Sequence, residues 1–85
     1  MKLNKDIINH REEDFGGLII NLKTGKIFKV NKIGYKIFLM LYKDISLKEL
    51  LKDIEKDFKE SKNKIKTDIE AFINELIAKG FTSKN

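Results

Sequence analysis

Apolar residues alternate with polar ones over the first third of this chain, and beyond Asn31 they recur every three or four positions. Alternation predicts strands. Ile7 to Arg11 can form a short one. Phe15 to Leu22 makes a stronger one, in which Leu18, Ile20 and Leu22 alternate with Gly17, Ile19 and Asn21. Lys23-Thr24-Gly25 reads as a tight hairpin turn, with Gly25 free to take positive φ. Lys26 to Val30 then returns as a third strand, with Phe28 and Val30 on one face and Ile27 and Lys29 on the other. Sequential hairpins make a meander in the order one, two, three, and the third strand is left at an edge.

The helical part opens with Ile33, Ile37, Phe38, Met40 and Leu41, a helix apolar nearly all round and therefore buried on several sides. Ser46 and Glu49 form a capping box for a second helix, with Ile45 and Leu50 at the two staple positions. Leu47, Leu50, Leu51, Ile54 and Phe58 follow at helical spacing. After a polar stretch from Lys59 to Lys64, Ile65, Ile69, Phe72 and Leu76 form the inward arc of a third helix. It stops at Gly80, and Phe81 can fold back onto Leu76 as in a Schellman ending. At about 100° per residue, one flank of this helix holds Asp68, Glu75 and Lys79 and reads as solvated surface. The other holds Lys62, Lys66, Ile73 and Ile77, an apolar extension rimmed with positive charge, although Ile73 and Ile77 can also be read as core. The expected order is β-β-β-α-α-α, a three-stranded antiparallel sheet followed by three helices in an α+β fold. It forms a single domain over residues 1–85, with 1–6 loose.

Composition narrows the function. At 85 residues one modest core is expected. The 41% hydrophobic and 36% charged residues describe a soluble globular domain. No apolar run approaches membrane-spanning length and no secretory signal is visible, so a cytoplasmic location and no membrane partner are expected. There is no cysteine, which removes disulfides, thiolate nucleophiles and cysteine-zinc sites. One histidine, His10, and three serines give no nucleophile–base constellation. The carboxylates are interleaved with lysines on helices and read as i,i+4 pairs. Phe15-Gly16-Gly17-Leu18 lacks the lysine and following helix of a phosphate loop. The chain is accordingly expected to be no enzyme and to need no metal or cofactor.

Net charge is +5, and Arg11 is the only arginine among 18 basic residues. The lysines are unevenly placed. Lys23, Lys26, Lys29 and Lys32 recur through the hairpin and third strand without an acidic residue among them, whereas Asp44 to Glu60 holds six acids and four lysines.

A set of residues in fixed order carries a family likeness: Arg11, Phe15-Gly16-Gly17-Leu18, Asn31 with Gly34, Asp44-Ile45-Ser46, Phe58, Asp68-Ile69, Phe72, Leu76 and Gly80-Phe81. Over the span from Arg11 to Phe81 the chain resembles the PqqD-like family, the RiPP recognition elements. It departs from the pattern at Ile45, where the family often has glycine after the aspartate. The resemblance implies a winged-helix-like fold used as a peptide clamp. The leader segment of a ribosomally made precursor adds as a strand to the third strand, lies against the third helix, and is presented to a modifying enzyme such as a radical-SAM maturase. Carried onto this chain, the peptide-binding residues are Lys26, Ile27, Phe28, Lys29 and Val30 on the strand and Lys62, Lys66, Ile69, Ile73 and Ile77 on the helix. The residues support this on their own account, because an edge strand offers unpaired N–H and C=O groups to an extended peptide. The concentration of lysines there predicts an acidic leader with apolar anchors.

Two other readings compete. A basic domain of three helices and a hairpin can be a winged-helix nucleic-acid binder. Asp68, Glu70 and Glu75 on the third helix would then repel phosphates, and arginine, the preferred guanine reader, is nearly absent. The chain can also be an adaptor that contacts only another protein. An open sheet edge additionally allows a homodimer.

Overall fold

The alternating segments pair as their periodicity requires. The computed structural model describes residues 2–58 and 61–83. A short strand β1 (Lys2–Leu3) and a 3-10 turn (Lys5–Ile7) precede β2 (Ile8–Glu13), β3 (Gly16–Asn21) and β4 (Ile27–Asn31). These three form an antiparallel sheet in the order β2-β3-β4. Then come α1 (Lys32–Tyr42), α2 (Leu47–Phe58), α3 (Lys62–Ala78) and β5 (Thr82–Ser83). The expected sheet followed by three helices is thus present. No helix among the described residues is long and apolar enough to cross a membrane.

The period-two pattern of β3 leaves two possible inner faces, and the less apolar one is chosen. Gly17, Ile19 and Asn21 are buried, while Leu18 and Ile20 are half-buried and Leu22 is exposed on the outer face. Gly17 explains why. A Cβ built there would lie 2.3 Å from Cδ1 of Tyr35, so the tyrosine ring rests on bare backbone. The Tyr35 hydroxyl is 2.8 Å from Nδ1 of His10. The His10 ring packs edge-on against Phe38 and Tyr42 at 5.1 Å. The lone histidine is therefore part of an aromatic cluster between sheet and α1. Burial, with a smaller contribution from nearby Glu12, raises the Tyr35 phenol above its ordinary value.

Asn21 is 1% exposed and fully used. Its side-chain oxygen accepts from the N–H of Lys23 at 2.9 Å and of Thr24 at 3.1 Å. Its amide donates to the Lys79 carbonyl at 3.1 Å, 58 residues away. One side chain thus shapes the β3–β4 turn and ties it to the end of α3.

The helices start and stop where local chemistry dictates. Asn31 caps α1 by accepting from Gly34 N–H at 2.8 Å. Ser46 and Ser61 cap α2 and α3 at 3.3 Å each. The polar stretch after Phe58 is shorter than its composition suggests, because Ser61 already starts α3. The side chain of Phe58 and residues 59–60 lie outside the described part. Gly80, at φ 78°, ends α3 in a Schellman motif: Phe81 N–H reaches the Leu76 carbonyl at 3.0 Å, and Gly80 N–H that of Ile77 at 3.1 Å. The end of α1 is built the same way, with Asp44 at φ 60° and Ile45 N–H on the Met40 carbonyl at 2.9 Å. The left-handed residue here is Asp44, so glycine is not needed at Ile45. Its side chain is free to pack against the cluster that contains Leu50.

α1 divides the interior in two. Tyr35 and Phe38 join Ile8, Ile19, Val30, Leu76 and Phe81 against the sheet. Ile37 and Met40 join Leu50, Ile54, Ile65 and Ile69 between the helices. The N-terminus differs from expectation. Instead of hanging loose, Lys2 and Leu3 pair with Ser83 and Thr82, and Leu3 is only 6% exposed in the sheet-side cluster. A single Leu in a polar run carries no periodicity, which is why the sequence hides it.

Asn21→Ala is expected to lower unfolding free energy by about 1–3 kcal/mol in denaturant titrations, because it removes a buried side chain and the hydrogen bonds it makes to three part-buried backbone groups. Because the folded-state pKa of Tyr35 is raised, its contribution is complete below the unfolded value of 10.0 and lost as pH climbs through the folded value. Melting curves should therefore fall off in that alkaline range, and Tyr35→Phe should flatten the decline.

Candidate functional site

Among the described residues β4 pairs only with β3, so its far side is an open edge. The register says which groups face outward. Asn21 N–H donates to the Lys26 carbonyl at 2.9 Å, which makes that a hydrogen-bonded pair. Antiparallel pairs alternate. Phe28 and Val30 therefore turn their backbone groups toward β3, and Ile27 and Lys29 turn theirs to the open edge. Side chains alternate in the other sense: Val30 is buried, Phe28 half-buried, and Ile27 is 61% exposed on the outer face. Lys29 reaches over the Phe15 ring at 4.6 Å.

β4 meets α3 through aromatic contacts. The Phe28 ring stacks on Phe72 at 5.6 Å and on Phe81 at 6.5 Å. The ammonium of Lys79 sits 5.0 Å above the same ring and pairs with Glu75 at 3.1 Å. Beside this contact a cavity of about 310 Å³ opens between the start of α1 and α3. Ile33, Gly34, Ile37, Ala71 and Phe72 line it, with Asn31, Asp68 and Glu75. The side of α3 beside β4 is therefore the one carrying Asp68, Phe72, Glu75 and Lys79.

The flank that carries Ile73 lies away from β4. Ile69 is 1% exposed and sealed in the cluster with Ile37, Leu50 and Ile54, and Ile73 packs against that cluster. Lys62, Lys66 and Ile77 share the Ile73 flank and are exposed, Ile77 at 49%. Adjacent residues on a helix project about 100° apart, so Phe72 can face β4 only if Ile73 does not. Of the residues expected to bind peptide, Ile27, Phe28, Lys29 and Val30 share the edge strand, and Lys26 precedes it in the turn. Lys62, Lys66, Ile69, Ile73 and Ile77 do not join them. That flank is apolar in part, but Ile73 is spent on the cluster between the helices and Ile77 is exposed away from β4. The α3 residues that stand beside β4 instead are Ala71 and Phe72 with Asp68 and Glu75. Their one sequence signal was the adjacency of Phe72 to the charged flank.

A larger open cleft of about 810 Å³ lies between the β2–β3 turn and α1, lined by Glu12, Glu13, Asp14, Lys32, Tyr35 and Lys36. Lys36 is held by Asp57 of α2. No group of three potential metal ligands occurs among the described residues.

The chain matches the family profile described as "Coenzyme PQQ synthesis protein D (PqqD)" over residues 16–81. It matches no curated protein sequence. Two solved structures share its fold. "TbiB1 in Complex with the TbiA(beta) Leader Peptide" superposes with a TM-score of 0.86 at 20% identity, covering 100% of this chain and 98% of that one. "Lasso peptide synthetase B1 complexed with the leader peptide" gives 0.80 at 17% identity, covering 92% of each.

Ile73→Asp should cost about 2 kcal/mol or more of stability by burying a carboxylate against the helical cluster, while Ile77→Asp should change it by less than about 0.5 kcal/mol. Urea unfolding of the two variants checks the flank assignment directly.

Proposed function

This chain belongs to the PqqD family, and on that premise we propose that it captures the leader segment of a precursor peptide as an added strand on β4 and presents it to a separate modifying enzyme. The open β4 edge beside an aromatic floor carries the reading. Ile27 and Lys29 offer N–H and C=O groups with no sheet partner among the described residues. An extended peptide satisfies them whatever its side chains. Phe28 and Phe72 supply an apolar floor for every second residue of that peptide. Both superposed structures are, by their descriptions, complexes with leader peptides, which supports the same use of the fold here.

In this reading the chain binds and does not catalyse. The chemistry belongs to a partner, a radical-SAM maturase or another enzyme of peptide modification, acting in the cytoplasm where the precursor is made. The exposed lysines at positions 26, 29 and 32 attract acidic residues on the outer side of the added strand. Against the nucleic-acid reading, Asp68, Glu70 and Glu75 are all exposed on α3. Pairing of two copies through β4 would compete with the peptide for the same groups.

Calorimetric titration with the leader peptides encoded beside the gene, and a scrambled leader as control, tests this. One leader should bind at on the order of micromolar Kd or tighter, and the scrambled one should not. Failure of every leader to bind would overturn the proposal. Lys29→Pro should abolish binding, because it removes an outward N–H and no β3–β4 ladder bond.

A further inference from the structure

The cavity between α1 and α3 combines an apolar floor with an acidic rim. Its floor is apolar, built from Ile33, Ile37, Ala71 and Phe72 together with the bare backbone of Gly34. A Cβ at Gly34 would approach Cε1 of Phe72 to 3.5 Å, so a side chain there would narrow the space. Its charged lining residues are two carboxylates, Asp68 and Glu75, and no basic residue lines it. The chain as a whole carries +5, and the lysines that balance these two carboxylates, Lys64 and Lys79, stand outside the lining.

An apolar floor under a carboxylate rim matches one kind of side chain. Lysine and arginine bury a hydrocarbon stem and keep a charged head at the surface. A neutral apolar anchor would leave the rim unused, and an acidic one would be repelled by it. We propose that this cavity seats a lysine or arginine of the bound leader, its stem against Ala71 and Phe72 and its head on Asp68 and Glu75. The inference rests on the leader-binding reading and deepens it. A strand on the β4 edge, which ends at Asn31 on the cavity's lip, turns every second side chain toward α3. The carboxylates are accessible to an incoming cation. Asp68 now pairs with Lys64 at 3.5 Å and Glu75 with Lys79 at 3.1 Å, both exposed i,i+4 pairs of a kind that exchanges readily. The recognised leader is then two-sided, with acidic residues toward Lys26 and Lys29 and a basic one toward α3. Lysine spacing along the sequence reports only the first of these.

The test uses the leader that binds in the titration above. In the double variant Asp68→Asn/Glu75→Gln, affinity should fall about tenfold or more, with a melting temperature close to that of the parent. Replacing one leader lysine or arginine by norleucine should cause the same loss in the parent protein and almost none in the double variant. Unchanged or tighter binding by the double variant overturns the pocket assignment while leaving leader capture standing. So does a leader that binds without any basic residue. If no leader binds the parent protein, leader capture itself fails and this inference falls with it.

Discussion

The placement of β4 against α3 depends on a buried amide. Asn21 sits at the inner end of β3, where the alternation calls for a core residue, and spends both ends of its side chain on backbone. Its oxygen holds the turn that brings β4 back, and its nitrogen holds the carbonyl at the end of α3. A hydrophobic residue there would fill the space but would leave three backbone groups without partners. The Schellman turn at Gly80 continues the same arrangement, since it drops Phe81 into the core directly beneath Phe28. The edge strand and the helix beside it are thus held at a defined separation by interactions at one end.

The second determinant is α1, which is apolar on more than one side and feeds two clusters. By joining the sheet through Tyr35 and Phe38 and the other helices through Ile37 and Met40, it decides which flank of α3 is covered. The flank with Ile73 turns toward α2. What remains beside β4 is Phe72, flanked by carboxylates and capped by Lys79. The apolar surface beside β4 is consequently small and aromatic, and its polar rim holds Asp68 and Glu75, each paired with a lysine.

A binding module of this kind has modest chemical requirements. Main-chain pairing needs only an open edge, which Ile27 and Lys29 provide, and selectivity needs a few side chains at fixed distances from that edge. The two carboxylates and the outer lysines are disposed on opposite sides of the β4 edge.

Much of this was legible before any coordinates. The three strands, the edge position of the last one, the Ser46 capping box and the Gly80–Phe81 ending all follow from local rules, because period, caps and left-handed residues are determined by neighbours in sequence. The family likeness from Arg11 to Phe81 rested on the same residues. Three features were not legible. Leu3 joins the core only because the two termini meet. Asn21 is inward because Gly17 must lie under Tyr35, a contact across 18 positions. β4 lies beside the charged flank of α3 because Ile69 and Ile73 are spent on the cluster between the helices. Each is a choice between alternatives that hydrophobic periodicity leaves equal, and each is made by packing between elements far apart in the chain.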